Sequence, residues 1–175
     1  LKKQYGEKNV YDFSLGNPDL PPPPEVKAAL GKITRRANKP FSIGYMPNAG
    51  YPELREKLAA HLSREQNVEL PGSNIVMTCG AAGGINVFFR AVLTQGDEVL
   101  CPAPYFVEYG FYAANSGGKL VPVPSKDFTF ELDLDRIEKS FTPNTRAIII
   151  NTPNNPTGQI YSREELTRLA EIIAA

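Results

Sequence analysis

From Asn74 onward the chain alternates short apolar runs with longer amphipathic stretches. Ile75-Val-Met-Thr78, Glu98-Val-Leu-Cys101 and Leu120-Val-Pro-Val123 read as strands, the first of them buried. Arg146-Ala-Ile-Ile-Ile150 ends in an unbroken apolar run, which predicts a strand buried on both faces, as in a parallel sheet. Between these runs, Ile85, Phe88, Phe89, Val92 and Leu93 recur at helical spacing, and Gly96-Asp97 closes that helix. Val107 to Asn115 predicts a helix stopped by Gly117-Gly118, and Asp133 to about Phe141 a polar one. Ser162-Arg-Glu-Glu165 is a capping box that opens another. Repeated strand–helix units of this length predict an α/β fold: three layers, with a mostly parallel sheet and helices on both faces.

The N-terminal part is patterned differently. Tyr11 to Leu15 predicts a short extended piece before the turn Gly16-Asn-Pro-Asp19. Pro21 to Pro24 favours polyproline II, but it leads straight into a helix, so a helix start is the better reading than an SH3-type ligand. In that helix Val26, Ala29, Leu30 and Ile33 fall on one face, expected to be buried. A loop from Phe41 to Gly50 follows, then a helix from Pro52 to about Leu62 carrying Leu54, Leu58 and Leu62 along one side. The domain expectation is residues 1–40 as an arm and helix contributed to a small domain, and 41–175 as the first part of a large one.

Composition narrows the partners. The 175 residues are 42% hydrophobic and 22% charged, a globular balance. Lys plus Arg equals Asp plus Glu at 19 each, so no nucleic-acid partner is expected. No leader-like segment opens the chain and no apolar run approaches the ~18 residues that span a bilayer, so no membrane association is expected. Cys79 and Cys101 lack metal-ligand spacing and make no disulfide framework, which fits a reducing, cytoplasmic setting and no metal. His61, the one histidine, has no recognisable nucleophile motif near it and reads as structural or surface.

The chemistry lies in the loops after the strands, where ligands of open α/β sheets sit. Gly80-Ala-Ala-Gly-Gly84 leaves backbone amides bare at a helix N-terminus, a favourable seat for phosphate. It is neither a dinucleotide fingerprint nor a Walker A loop, and a tight packing turn is an equal reading. Pro104-Tyr105-Phe106 offers an aromatic that could stack on a flat heterocycle or pack in the core. Asn151-Thr-Pro-Asn-Asn-Pro-Thr-Gly158 offers three amides that can read a polar ring without adding charge, although such residues are also ordinary in turns. A flat phosphorylated aromatic cofactor would use all three.

In this order the motifs resemble those of the class I and II aminotransferases, pyridoxal-phosphate enzymes of fold type I, over nearly the whole chain. They are Gly16-Asn-Pro-Asp19, Tyr45 with Gly50-Tyr-Pro-Glu-Leu-Arg55, Thr78-Cys-Gly-Ala-Ala82, Gly96-Asp-Glu-Val99, Pro104-Tyr-Phe106 and Asn154-Asn-Pro-Thr-Gly158. The resemblance implies pyridoxal 5'-phosphate as cofactor, its phosphate held at Gly80, Ala81 and Ala82, its ring stacked on Phe106 with Tyr105 as fallback, and its 3-oxygen met by Asn155. It implies Gly16 beside the substrate carboxylate, with Phe106 and Asn155 also facing substrate, and Tyr45 reaching the phosphate of the neighbouring subunit of a homodimer. It also implies cis peptides at Ala103-Pro104 and Asn155-Pro156.

The implied reaction is transamination between an amino acid and a 2-oxo acid. The family's Schiff-base lysine, its aspartate at the ring nitrogen and its carboxylate-gripping arginine are expected downstream of the Asn loop, and none of the lysines from Lys2 to Lys139 sits at a matching position. The chain is therefore expected to be the N-terminal portion of a longer enzyme, inactive by itself and with an unpaired sheet edge. Competing readings are a lyase or synthase on the same cofactor, and an inactive dimerisation domain. A nicotinamide-dependent dehydrogenase is disfavoured by the missing Gly-x-Gly-x-x-Gly turn.

Overall fold

A computed structural model of the chain describes every residue except 12–15 and 17–19. The chain forms two compact units, Leu1–Pro47 and Asn48–Ala175. The N-terminal unit holds a short helix, α1 (Lys2–Tyr5), and a longer one, α2 (Pro24–Arg36). Pro24 sits at the start of α2, Glu25 lies in its first turn and Arg35 and Arg36 in its last, each end matched to the helix dipole. The expected buried face does not hold: Val26, Leu30 and Ile33 are all exposed. Amphipathic spacing specifies which positions share a face, and within this unit no described element covers it. The expected extended piece and turn fall largely outside the described residues; Gly16 itself is described, and exposed.

The second unit opens with α3 (Pro52–Gln66), which runs four residues past the expected end and stops at Asn67, whose φ of 53° is left-handed. Ile75–Thr78 corrects the sequence reading. It is extended at Ile75, yet it joins no ladder, and Val76 is exposed. Its polar groups are met otherwise: the Met77 N–H donates to the Ala49 carbonyl at 3.0 Å, and Arg55 Nε donates to the Ile75 carbonyl at 2.7 Å. A β-prone run becomes a strand only when a neighbour supplies the matching groups.

There follow α4 (Gly80–Val92), β1 (Glu98–Ala103), α5 (Glu108–Asn115), β2 (Lys119–Pro124), α6 (Leu134–Ser140), β3 (Thr145–Ile148) and α7 (Arg163–Ala174). The strands form a parallel sheet in the order β2-β1-β3. Glu98 pairs with Lys119 and with Thr145, and Val99 with Ala147, so β3 carries a register shift at Arg146. Two cores flank the sheet. Val99 and Cys101 of β1 pack with Phe89 and Leu93 at α4 and with Tyr109, Tyr112 and Ala113 of α5. Leu100, between them, packs with Val123, Leu132, Ile137 of α6, Tyr161 and Leu169 of α7. Successive residues of a strand point to opposite faces, so three layers follow directly.

The strand buried on both faces is therefore β1. In β3 and just past it, Ile148, Ile149 and Ile150 are only partly buried, because β3 is a sheet edge here. Phe88, grouped with the apolar face of α4, is also exposed while Phe89 is buried.

Candidate functional site

Helix α4 and strand β1 are joined by five residues, Leu93–Asp97, tightened by the Asp97 carboxylate accepting the Thr94 N–H at 2.7 Å. So short a connection returns the chain antiparallel to the helix. Thirteen helical residues span about 20 Å, and six strand residues span about the same. The N-terminus of α4 thus comes level with the carboxyl end of β1. From there the loop after β1 leads to α5 on one face, whereas the loop after β3, its neighbour, leads to α7 on the other. Adjacent parallel strands whose exits diverge leave a crevice at their carboxyl ends.

The first wall is the start of α4. Gly80 has φ +70°, and a Cβ there would meet nothing within 4 Å, so the glycine serves the backbone angle and not space. Its N–H is used on the Thr78 carbonyl at 3.1 Å, and Thr78 Oγ1 donates to the Gly80 carbonyl at 3.1 Å. Cys79 at the cap position makes no side-chain bond, so no side chain caps the first-turn amides beside Ala81 and Ala82. Both alanines are exposed. That end of the helix is a neutral seat with partial positive charge, suited to a phosphate.

The second wall follows β1. The Ala103-Pro104 peptide is cis, as is Asn155-Pro156, both as expected, and Thr152-Pro153 is cis as well. Phe106 is half-buried, its ring 5.6 Å from that of Tyr109 at 77°, edge to face. Phe106, Tyr105 and Ile85 of α4 all pack on the same core, which brings the helix and this loop together.

The third wall is the loop after β3, which is stiffened by its own side chains. Asn154, buried, accepts from both the Thr157 N–H (3.2 Å) and hydroxyl (2.9 Å). Its N–H donates to the Gln159 carbonyl and its carbonyl accepts the Gly158 N–H, each at 2.8 Å. The Tyr161 N–H donates to Thr152 Oγ1 at 3.1 Å. At Ser162 the expected capping box is complete, with Glu165 also accepting the Leu132 N–H at 3.1 Å. Asn155 is exposed, and its side-chain amide makes no hydrogen bond among the described residues.

Two residues without a separate role in the sequence reading join the walls. Tyr109 is buried and donates its hydroxyl to Asn151 Oδ1 at 3.4 Å, and the Asn155 N–H donates to the same oxygen at 2.9 Å. The only sequence signal was spacing: Tyr109 lies three residues after Phe106, one turn further along. Burial pushes the Tyr109 hydroxyl up from its ordinary value, and pushes the Cys101 thiol behind it up to about 12. The back of the crevice is therefore neutral across the physiological range, and a charged ligand meets the helix end rather than an opposing side chain.

Of the other sequence candidates, Tyr45 and Gly16 lie in the N-terminal unit, where both are exposed. His61 is exposed on α3. Among the described residues no cluster of His, Cys, Asp or Glu could hold a metal ion, and no helix is long and apolar enough to cross a membrane. Lys126, just past β2, is paired with Glu131 at 3.2 Å.

Residues 8–175 match the family model described as aminotransferase class I and II. A probable aspartate/prephenate aminotransferase of Aquifex aeolicus is 42% identical over 164 residues, 93% of this chain and 41% of the relative. A probable aspartate aminotransferase of Methanocaldococcus jannaschii is 35% identical over 92% of this chain and 42% of its own length. An aminotransferase structure from Eubacterium rectale superposes with a TM-score of 0.89 at 34% identity, covering 99% of this chain and 44% of that one. The chain thus spans about two fifths of the length of the curated relatives it matches.

Proposed function

Because this chain belongs to the aminotransferase class I and II family, we propose that the whole protein moves an amino group between an amino acid and a 2-oxo acid with pyridoxal 5'-phosphate. One observation carries the reading: an uncapped helix start, a half-buried aromatic and an unpartnered amide arise on elements that meet at one sheet end. When bound, the cofactor supplies an electron sink for the substrate's α-carbon. The chain's own residues bind and orient it. The amides of Ala81 and Ala82, just past Gly80 whose own N–H is taken by the Thr78 carbonyl, would receive the phosphate, Phe106 would lie against the ring, and Asn155 would donate to the ring 3-oxygen, favouring its ionised form. Phe106 and Asn155 would also face the substrate. The lysine that takes the α-proton we place outside these 175 residues, since none of the lysines from Lys2 to Lys139 matches the family's position for it.

The protein is proposed to act as a cytoplasmic homodimer, in which the fully exposed Tyr45 reaches the neighbouring subunit's phosphate. Two free cysteines support the reducing compartment. Residues 1–40 are assigned to a small domain and 41–175 to the start of the cofactor-binding one. Relatives named for aspartate, prephenate and aromatic amino acids set the substrates to try first. The test is to incubate full-length protein with the cofactor, one amino acid at a time and 2-oxoglutarate. Formation of glutamate in step with the new oxo acid supports transamination. Loss of carbon dioxide or of a side chain instead points to a lyase or synthase, and no turnover of any pair favours a dimerisation role.

A further inference from the structure

We propose that Asn151, backed by the Tyr109 hydroxyl, is a positioning residue that fixes Asn155 relative to Phe106. The inference rests on the site reading above, in which Asn155 and Phe106 receive the cofactor ring.

Ladder bonding from β3 ends with the Ile149 N–H on the Leu100 carbonyl at 2.9 Å. Beyond that point the sheet no longer dictates where the chain goes, and one side chain takes over. Asn151 Nδ2 donates to the Pro153 carbonyl at 3.1 Å, while its Oδ1 accepts the Asn155 N–H at 2.9 Å. A single planar amide thus spans the turn and sets the backbone on which Asn155 is carried. The remaining lone pair of Oδ1 faces the Tyr109 hydroxyl at a long 3.4 Å, which is that hydroxyl's partner among the described residues. Burial keeps the hydroxyl protonated and able to donate. The Tyr109 ring in turn meets the edge of Phe106, and the Tyr109 N–H donates to the Phe106 carbonyl at 3.1 Å. The ring-facing aromatic and the ring-facing amide are therefore registered through two residues that need not touch the cofactor. Asn154 cannot take this part, because its oxygen is occupied by Thr157.

The experiment uses full-length protein and pyridoxal 5'-phosphate itself, with Tyr109→Phe, Asn151→Ala, the double variant and Asn155→Ala. Three quantities are read: the cofactor's dissociation constant by dialysis, the pH at which its bound absorption changes, and apoprotein melting. Tyr109→Phe keeps the ring and loses only the hydroxyl. It is expected to weaken binding about 3- to 10-fold and to move the colour change to higher pH, because a misaligned donor no longer favours the ionised ring oxygen. Apoprotein melting stays at the wild-type value. The double variant is expected to match Asn151→Ala, since Tyr109 acts through Asn151. If Asn155→Ala shifts binding and colour while Tyr109→Phe shifts neither, or if the double variant is additive, the positioning role is overturned and the site reading survives. If Asn155→Ala shifts neither, the site reading falls and takes this inference with it.

Discussion

Val99 and Leu100 are consecutive residues of β1, both with no measurable exposure, and their side chains belong to different cores. Val99 looks toward α4 and α5, Leu100 toward α6 and α7. This one strand ties the layers together, and its carboxyl end carries the loop that presents Phe106. The site's geometry depends on it.

Truncating that strand should therefore be costly. Leu100→Ala is expected to lower unfolding stability by about 2–5 kcal/mol, the range for emptying a close-packed site. Neighbouring phenylalanines give an internal control: Phe89 is 2% exposed and Phe88 56%. Phe89→Ala should cost about 3–5 kcal/mol, and Phe88→Ala well under half of that. Urea midpoints of the three variants measure this; equal losses for Phe88 and Phe89 would contradict the assignment of faces.

Periodicity carried much of this in the sequence. The helices from Gly80, Glu108, Leu134 and Arg163 and the strands at Glu98 and Lys119 all lie where apolar spacing and turn residues put them. What spacing could not carry was the neighbour. Ile75–Thr78 has a strand's composition but nothing to pair with, Val26, Leu30 and Ile33 have a helical stripe but no described cover, and Ile148–Ile150 run along an edge. At the site, the resemblance pointed to Gly80 and Asn155. The link from Tyr109 to Asn151 crosses 42 residues and leaves no local trace.

Acid should loosen the opposite end of the sheet. The Thr94 backbone N–H, outweighing the burial penalty, and then the Thr94 hydroxyl and Arg146 hold Asp97 below its ordinary 3.8. The Thr142 hydroxyl and then Lys119 hold Glu98 below its ordinary 4.5. Both carboxylates bind protons less readily when folded, so their contribution is complete above the unfolded values and is lost as pH falls through the folded ones. Stability from these two groups should be level above about pH 5 and decline below it. Chemical denaturation of wild type and Glu98→Gln between about pH 7 and 3 checks this. The variant should lose less on acidification, and an identical loss would contradict the assignment.

At the phosphate seat, stability and binding should part company. A carboxylate in the first turn of α4 suits the helix dipole, so Ala82→Asp should leave melting unchanged or raise stability by about 0.3–1 kcal/mol. The same charge occupies and repels at the seat, and should weaken pyridoxal 5'-phosphate binding by at least about tenfold, or 1.4 kcal/mol. Calorimetric melting paired with cofactor titration reads both. Intact binding in a stabilised Ala82→Asp variant would move the phosphate elsewhere.

A structure of the full-length protein with pyridoxal 5'-phosphate bound is the most direct measurement. Expected are phosphate oxygens on the amides of Ala81 and Ala82 beside Gly80, the ring face against Phe106, and the Asn155 side-chain amide on the ring 3-oxygen. A cofactor found in another crevice, or one held with its phosphate away from α4, would contradict the proposed site.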